Sequence, residues 1–285
     1  MVRCIAIDMD GTLLNSAQQV SDQNLEAVAK AQSLGVEVVI ATGRSYKEAR
    51  YVLDEAGVSC PVLCVNGAEA RSTKGDILAS NPLDKEITKT AMGILKDKGI
   101  YFEIYTNHGT YTIDDDKAVT VISEIYHIDN PELNIQDILK VAEGRFHKGL
   151  VRKIDDYEEL IRSDQHEVYK LLAFSFDEDL RSNAQKLLDK LPGTAITSSG
   201  HGNIEVNSVN AQKGKALEAF AKEKQIDLED TVAIGDNYND ISMFEIAGRS
   251  VAMGNAAEDI KKNCDFVTLT NNESGVAKAI LEAIE

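Results

Sequence analysis

The sequence predicts an α/β protein with a doubly wound parallel sheet, interrupted by a segment of α+β character. Short apolar runs of strand length, such as residues 4–7 and 36–41, alternate with stretches of helical periodicity and end in polar turns. From about residue 81 this pattern gives way to helices mixed with strands of alternating polarity. At 285 residues the chain is long enough for two domains of medium size.

The first strand is followed by two carboxylates. Residues 4–7 are apolar and too few for a helix, so they predict a buried strand of a parallel sheet. Asp8 and Asp10 follow at the edge where open α/β sheets bind ligands. Asp8 could bind a divalent cation with one oxygen and attack phosphorus with the other, and Asp10 could exchange a proton with a leaving group. The alternative is an acidic surface turn.

The second strand ends in a turn that could hold phosphate. Ser21 caps a predicted helix, and residues 36–41 form the next strand, which completes a right-handed β-α-β unit. Thr42, Gly43 and Arg44 follow that strand. Phosphate oxygens can be bound by a hydroxyl, a flexible backbone and a guanidinium that stand before a helix. The alternative is that these three residues form a plain loop.

The third strand, predicted at residues 62–65, ends at Asn66. On composition alone, Asn66 and the glycine after it read as a tight turn. Residues 69–80 then predict a hairpin that turns near Gly75.

The inserted segment is predicted to span residues 83–190, which divides the core domain into residues 1–82 and 191–285. Its elements are helices at about 84–98, 116–127 and 177–190 and strands at 101–105 and 169–176. We expect the core to resume with strands at 195–198 and 203–206, joined by a loop that contains His201. The other four histidines show no shared spacing that would predict a metal site; they are His108, His127, His147 and His166.

Two further motifs of the core carry charged groups. Lys213 stands at the start of a predicted helix, where the helix dipole disfavours a cation unless it reaches towards an anion. The strand at 231–234 precedes Asp236 and Asp240, which are four residues apart at the entry to a helix. Asp236 is the expected direct metal ligand, Asp240 could bind the cation through water, and Asn239 can donate to phosphate. A solvated lysine and an acidic helix cap are the alternatives.

Taken in order, these motifs resemble those of the haloacid dehalogenase superfamily, whose members mostly hydrolyse phosphate esters through an aspartyl-phosphate. The stretch Asp-Met-Asp-Gly-Thr-Leu-Leu, which begins at Asp8, is similar to the nucleophile motif of that family. The resemblance implies a Rossmann-like core with an inserted cap domain of the large, type-two class. The turn at residues 251–256 and the helix entry at 271–276 also resemble the Cof-like branch.

The resemblance implies a role for each motif. Asp8 would be the nucleophile and Asp10 the general acid and base, and Mg²⁺ would be bound by Asp8, the backbone carbonyl of Asp10, Asp236 and Asp240. The expected phosphate and substrate contacts are Thr42, the amides of Met9 and Gly43, Lys213, Arg44, Asn66 and Asn239. For Arg44 the alternative is a role at the start of the following helix, and Asn66 is expected at the edge of the substrate pocket. The acid at position 10 favours phosphoryl transfer, because the dehalogenases of the superfamily lack an acid there.

The expected function is therefore Mg²⁺-dependent hydrolysis of a small phosphate monoester, such as a sugar phosphate or a similar metabolite. A phosphosugar mutase of the same superfamily and a non-catalytic phospholigand-binding regulator are the alternatives.

Composition narrows the expected partners and location. The net charge of −17 argues against binding of nucleic acid and of anionic membrane surfaces. No apolar run approaches the roughly 20 residues of a membrane span, and the first strand begins too early for a signal peptide. The four cysteines form no disulfide framework. We expect a cytoplasmic monomer or homodimer that acts on a small phosphorylated metabolite.

Overall fold

The computed structural model describes residues 1–129, 134–198 and 202–285, so the predicted loop position His201 lies outside these ranges. The chain forms two compact units. The core unit consists of Met1–Asn81 and Asn210–Glu285, and the inserted unit consists of Pro82–Val209.

The strands and helices are numbered in chain order. Strands β1 to β14 span Cys4–Asp8, Glu37–Ala41, Val62–Cys64, Glu69–Arg71, Ile77–Ser80, Tyr101–Thr106, Gly109–Thr112, Val151–Lys153, Val168–Phe174, Thr194–Thr197, Asn203–Ser208, Thr231–Gly235, Arg249–Ala252 and Phe266–Val267. Helices α1 to α11 span Asp22–Ser33, Tyr46–Glu55, Lys85–Asp97, Asp115–Asp129, Ile135–His147, Tyr157–Arg162, Glu178–Leu188, Lys213–Glu223, Ile241–Phe244, Glu258–Lys262 and Gly275–Ile284.

The sheet of the core unit has the strand order β14-β13-β12-β1-β2-β3-β4-β5. The strands from β14 to β3 are parallel, and β4 and β5 form the predicted antiparallel hairpin. Cys4 and Ala6 of β1 pack into a hydrophobic cluster with residues of α8, α9 and α10. Ile5 and Ile7 alternate to the other face and are equally buried, so both faces of the sheet are covered. The predicted doubly wound α/β class is therefore confirmed.

The sheet of the inserted unit has the strand order β10-β11-β9-β6-β7-β8. Neighbouring strands are antiparallel except for β7 and β8. Residues from α3, α6 and α7 pack against one face of this sheet and form a hydrophobic core of its own. The sequence did not predict α5, α6, β7 or β8.

The return to the core unit lies later than the sequence predicted. Strand β11 pairs with β9, and its residues Ile204 and Val206 belong to the hydrophobic cluster of the inserted unit. Strands β10 and β11, which we had assigned to the core, are therefore part of the inserted unit, and the boundary at residue 190 is wrong. Alternating polarity identifies a strand but not the sheet that it joins, because pairing depends on contacts between distant residues.

Composition predicts that the chain has no membrane-spanning segment and that its cysteines form no disulfide framework. Within the described ranges, no helix is both long and apolar enough to cross a bilayer. Cys4, Cys60, Cys64 and Cys264 are free thiols. Burial raises the pKa of the Cys60 thiol to about 12, so this side chain packs as a small apolar group.

Candidate active site

The first and fourth motifs pack directly against each other. Strand β1 ends at the buried Asp8, and a tight turn over Met9–Leu13 follows it. Gly11 has a φ of +77°, and a Cβ at this position would clash with the carboxylate of Asp236. The hydroxyl of Thr12 donates a hydrogen bond of 2.8 Å to Oδ1 of the same carboxylate. The turn after β1 therefore needs glycine in order to approach Asp236.

Lys213 joins two carboxylates in the interior of the core unit. It is the first residue of α8 and is fully buried. Its Nζ donates to Oδ1 of Asp8 at 2.5 Å and to Oδ1 of Asp240 at 2.6 Å. The other oxygen of Asp240 accepts the backbone N–H groups of Asp236 and Asn237, both at 3.0 Å. Asp240 thus holds both Lys213 and the turn that carries Asp236.

Burial and mutual repulsion dominate the electrostatics of this cluster. Burial raises the pKa of Asp8 well above its ordinary value; Asp240 raises it further, and Lys213 opposes the shift. Burial and then Asp240 raise the pKa of Asp236 to about 6. Burial alone would lower the pKa of Lys213, but Asp240 and Asp8 raise it above its ordinary value, so the ammonium stays charged.

The three carboxylates are suited to a hard divalent cation. Oxygen atoms of Asp8, Asp236 and Asp240 all lie within 4.8 Å of one another. An all-oxygen set of this kind is the one that Mg²⁺ prefers. Because the buried Asp8 and Asp240 and the half-buried Asp236 face one ammonium, a bound cation would also relieve the repulsion among the three carboxylates. The residues therefore fit the expected metal.

The side chain of Asp10 has a different partner. Its carboxylate accepts two hydrogen bonds from Arg44, from Nε at 2.8 Å and from a terminal nitrogen at 2.5 Å. The same terminal nitrogen donates to Oε1 of Gln18 at 2.5 Å. The Asp10 side chain keeps 48% of its surface exposed. The guanidinium of Arg44, an expected phosphate or substrate contact, therefore holds the carboxylate of the predicted general acid.

The expected phosphate contacts form a neighbouring group. Thr42 is fully buried, and its hydroxyl accepts the backbone N–H of Arg44 at 3.1 Å. The backbone N–H of Asn66 donates to the carbonyl of Thr42 at 2.9 Å, and Nδ2 of Asn239 donates to Oδ1 of Asn66 at 3.2 Å. Oδ1 of Asn239 is buried without a hydrogen-bond partner. A Cβ on Gly43 would lie 3.2 Å from Oδ1 of Asn66, so the two turns are in close contact.

The turn over Val65–Gly67 is strained. Val65, Asn66 and Gly67 have φ values of +48°, +56° and +92°, and the left-handed region is rare for a β-branched residue. Such residues cost about 1–3 kcal/mol each and persist where the surrounding contacts hold them. The backbone N–H of Val65 donates to the carbonyl of Arg44 at 2.9 Å, and a Cβ on Gly67 would lie 2.5 Å from the carbonyl of Gln212. The turn thus connects the Thr42 turn to the start of α8.

The structure brings most of the predicted site residues into two contiguous groups. Asp8, Lys213, Asp236 and Asp240 form the buried cluster, Thr42, Gly43, Asn66 and Asn239 form the neighbouring group, and Met9 is buried directly after Asp8. The sequence did not single out Thr12, Gln18 or Val65. Their importance depends on long-range contacts and on backbone strain, which leave no signal in local periodicity.

Comparison with known proteins decides the family. The family model described as haloacid dehalogenase-like hydrolase matches residues 5–280. The chain belongs to the haloacid dehalogenase-like hydrolase family. The prediction of that superfamily, made from the motifs, is therefore confirmed.

Relatives within this family share nearly the whole length of the chain. Phosphatase YwpJ of Bacillus subtilis is 36% identical over 278 residues, which cover 97% of this chain and 98% of the relative. The 5-amino-6-(5-phospho-D-ribitylamino)uracil phosphatase YwtE of the same species is 36% identical over 277 residues, covering 97% and 96%. A solved structure of a haloacid dehalogenase-like hydrolase from B. subtilis has a TM-score of 0.89 at 36% identity, covering 98% of this chain and 99% of that one. The predicted Rossmann-like core and the assignment as a Cof-like phosphatase of this family are thereby confirmed.

Proposed function

We propose that the chain is a Mg²⁺-dependent phosphatase that hydrolyses small phosphate monoesters through a phosphoryl group carried on Asp8. The observation that carries the proposal is the buried cluster in which Lys213 joins Asp8 to Asp240, with Asp236 beside them. Catalytic sites typically contain carboxylates with shifted pKa values next to a lysine. They also typically lie at the carboxyl edge of a parallel sheet, as this cluster does.

The proposed reaction has two steps. A carboxylate oxygen of Asp8 attacks phosphorus as the bond to the ester oxygen breaks, and Asp10 gives its proton to the leaving alcohol. Asp10 then takes a proton from water, which attacks phosphorus and releases inorganic phosphate from Asp8. The bidentate contact with Arg44 occupies both oxygens of Asp10, so one of these hydrogen bonds must open before Asp10 can hold the proton that it gives to the leaving alcohol. The other bond keeps the side chain oriented.

The remaining residues bind the transferred group and the metal. Lys213 balances the charge of Asp8 and binds phosphoryl oxygens, together with the Thr42 hydroxyl and the backbone amides of Met9 and Gly43. Asp8, Asp236 and the backbone carbonyl of Asp10 would hold Mg²⁺, with Asp240 beside them. When bound, the metal supplies Lewis-acid stabilisation of the negative charge on the phosphoryl oxygens.

Further phosphate contacts and the substrate class are part of the proposal. The amides of Asn66 and Asn239 lie beside the Thr42 turn. Oδ1 of Asn239 is buried without a partner and can only accept, so it would suit a donor on the substrate, such as a hydroxyl, rather than a phosphate oxygen. The relative YwtE is named for a ribitylamino phosphate. We place this chain among enzymes for small phosphorylated metabolites of that kind, working as a monomer or homodimer in a reducing compartment such as the cytoplasm.

A panel assay tests the proposed function. The purified protein is incubated with p-nitrophenyl phosphate, sugar phosphates, pyridoxal phosphate and the ribitylamino phosphate, with Mg²⁺ or with EDTA. We expect release of inorganic phosphate with Mg²⁺ and at least a 100-fold loss in EDTA. Asp8→Asn should be inactive, and the matched variant Asp97→Asn, at the end of α3 in the inserted unit, should match the wild type.

Two outcomes would contradict the proposal. Wild-type protein that releases no phosphate from any ester of the panel with Mg²⁺ would exclude the phosphatase. In a reaction with a labelled sugar phosphate, transfer of the label to a second hydroxyl instead of to water would identify the mutase.

A further inference from the structure

After the turn that follows β1, a bridge between Leu14 and Val20 closes a short hairpin. Asparagine side chains from three other parts of the chain hold the turn and the start of this hairpin. Nδ2 of Asn255 donates to the carbonyl of Gly11 at 2.8 Å. Nδ2 of Asn24 donates to the carbonyl of Leu13 at 3.2 Å, and Nδ2 of Asn271 donates to that of Leu14 at 2.9 Å. We call Asn24, Asn255 and Asn271 the asparagine clamp.

Two members of the asparagine clamp are fixed at both ends of the amide. Oδ1 of Asn24 accepts the backbone N–H of Ala277 at 2.9 Å, and Oδ1 of Asn255 accepts the backbone N–H of Asn271 at 2.9 Å. Because a backbone N–H can only donate, the oxygen must face it and the NH₂ group must face the turn. The asparagine clamp therefore ties α1, α11 and the loop before α10 to the residues next to Asp10.

The backbone of this turn needs such partners. A carbonyl in an irregular turn has no ladder or helix partner, so a side chain or water must satisfy it. Gly11, at φ +77°, has wide conformational freedom, and it directly follows Asp10. The bond from Asn255 to the Gly11 carbonyl selects one orientation for the Gly11–Thr12 peptide, which is one peptide beyond Asp10 and leads to the Thr12 hydroxyl that binds Asp236. Reacting groups must be held to within about 0.5 Å, so this orientation matters for the chemistry.

We propose that the asparagine clamp positions Asp10 and the metal-binding side of the turn, so that Asn255 and Asn271 are positioning residues of the active site. The inference rests on the proposed function. It also gives a role to the two downstream segments, residues 251–256 and 271–276, whose resemblance to the Cof-like branch otherwise has no place in the reaction.

Three alanine variants test the inference. Asn255→Ala and Asn271→Ala each remove one bond to the turn. Asn263→Ala is the matched control, because Nδ2 of Asn263 donates to the carbonyl of Asp259 at the same 2.8 Å, in an exposed position away from the turn. Loss of an outer partner of a metal site typically costs 10–100-fold in metal affinity or activity.

Enzyme kinetics and the Mg²⁺-induced rise in Tm are measured for each variant. For Asn255→Ala we expect kcat with p-nitrophenyl phosphate to fall by about 10–100-fold, or half-saturation by Mg²⁺ to rise by that factor, with KM within about threefold. The rise in Tm on adding Mg²⁺ without substrate should also be smaller than in the wild type. Asn271→Ala should show the same effects more weakly, and Asn263→Ala should show none.

The outcomes separate the inference from the proposed function. If the wild type hydrolyses no ester, the proposed function is wrong, and the Mg²⁺-induced rise in Tm alone decides whether the asparagine clamp shapes the metal site. If Asn255→Ala and Asn263→Ala agree in kcat, in Mg²⁺ dependence and in the Mg²⁺-induced rise in Tm, the inference is wrong, even if Asn255→Ala has a lower Tm.

Discussion

Replacement of Lys213 by methionine tests the electrostatic description of the core unit without reference to the reaction. Lys213 is fully buried, and its ammonium is within 2.6 Å of Asp8 and Asp240. Methionine keeps an unbranched apolar stem, one heavy atom shorter than lysine, but removes the charge. The two carboxylates would then remain buried without a cation.

The expected loss of stability is large. A pair of charges about 4 Å apart interacts with roughly 4 kcal/mol at an effective dielectric constant of 20, and the desolvation of Lys213 offsets part of this. Removing one partner of a buried pair typically costs about 3–5 kcal/mol. For a protein of this size, 1 kcal/mol corresponds to about 2–4 °C in Tm. Lys213→Met should therefore lower Tm by roughly 10 °C at neutral pH.

Thermal unfolding in EDTA at pH 7.5 and pH 5.0 provides the measurement. Burial and Asp240 raise the folded-state pKa of Asp8, and the loss of Lys213 raises it further. A carboxyl whose pKa is raised by folding contributes stability at low pH and loses it as pH rises through the folded value. The difference between Lys213→Met and the wild type should therefore be smaller at pH 5.0 than at pH 7.5.

Two further variants complete the experiment. Lys215→Met removes an exposed lysine two residues along the same helix and should leave Tm within about 2 °C of the wild type. Adding Asp240→Asn to Lys213→Met removes one of the two buried carboxylate charges that are left without a cation. The double variant should therefore recover part of the lost Tm. If Lys213→Met and Lys215→Met had equal Tm values at both pH values, the reasoning about the buried cluster would be refuted.

Three more predictions concern the same site. Asp8→Asn should abolish phosphatase activity and leave the circular dichroism spectrum unchanged; activity within a few-fold of the wild type would refute its assignment as nucleophile. The pKa of Asp236 is raised to about 6, and a bound cation requires its ionised form. The rise in Tm that Mg²⁺ induces should therefore be larger at pH 7.5 than at pH 5. A larger Mg²⁺-induced rise at pH 5 than at pH 7.5 would contradict this. Gly67→Ala should lower kcat more than tenfold, because its Cβ would press on the carbonyl of Gln212 before α8. The control Gly35→Ala has a similar φ of +81° but its Cβ would meet open space, so it should lower only Tm. Equal kcat values for the two variants would show that the contact with Gln212 is unimportant.

Local patterns in the sequence predicted most strands of the core sheet and the motifs that follow them, but not β13 and β14. A strand buried on both faces of a sheet reads as a continuous apolar run, as β1 and β2 do. Parallel strands end at one edge, so motifs that follow such strands were expected to converge there. The structure places Asp8, the last residue of β1, next to Asp236, which follows the paired strand β12; their oxygen atoms lie within 4.8 Å of each other.

The partners of the charged groups depended on the tertiary structure. Lys213 and Asp8 are 205 positions apart, and local periodicity contains no information about which carboxylate a lysine will reach. The same holds for Arg44, whose partner Asp10 lies 34 positions away, and for the amides of the asparagine clamp.

The division between the two sheets and the strained turn were likewise decided only in three dimensions. Strands β10 and β11 have the period of a strand in either sheet; β11 pairs with β9 and β10 pairs with β11, and this pairing places both strands in the inserted unit. Val65 adopts a conformation that its own side chain disfavours, because contacts to Arg44 and to the start of α8 hold the turn. The sequence by itself determines where an element lies and which face is apolar, since these follow from neighbours along the chain. Which elements pair with each other depends on contacts between residues that are distant in the sequence, and these contacts are selected by the free energy of the whole fold.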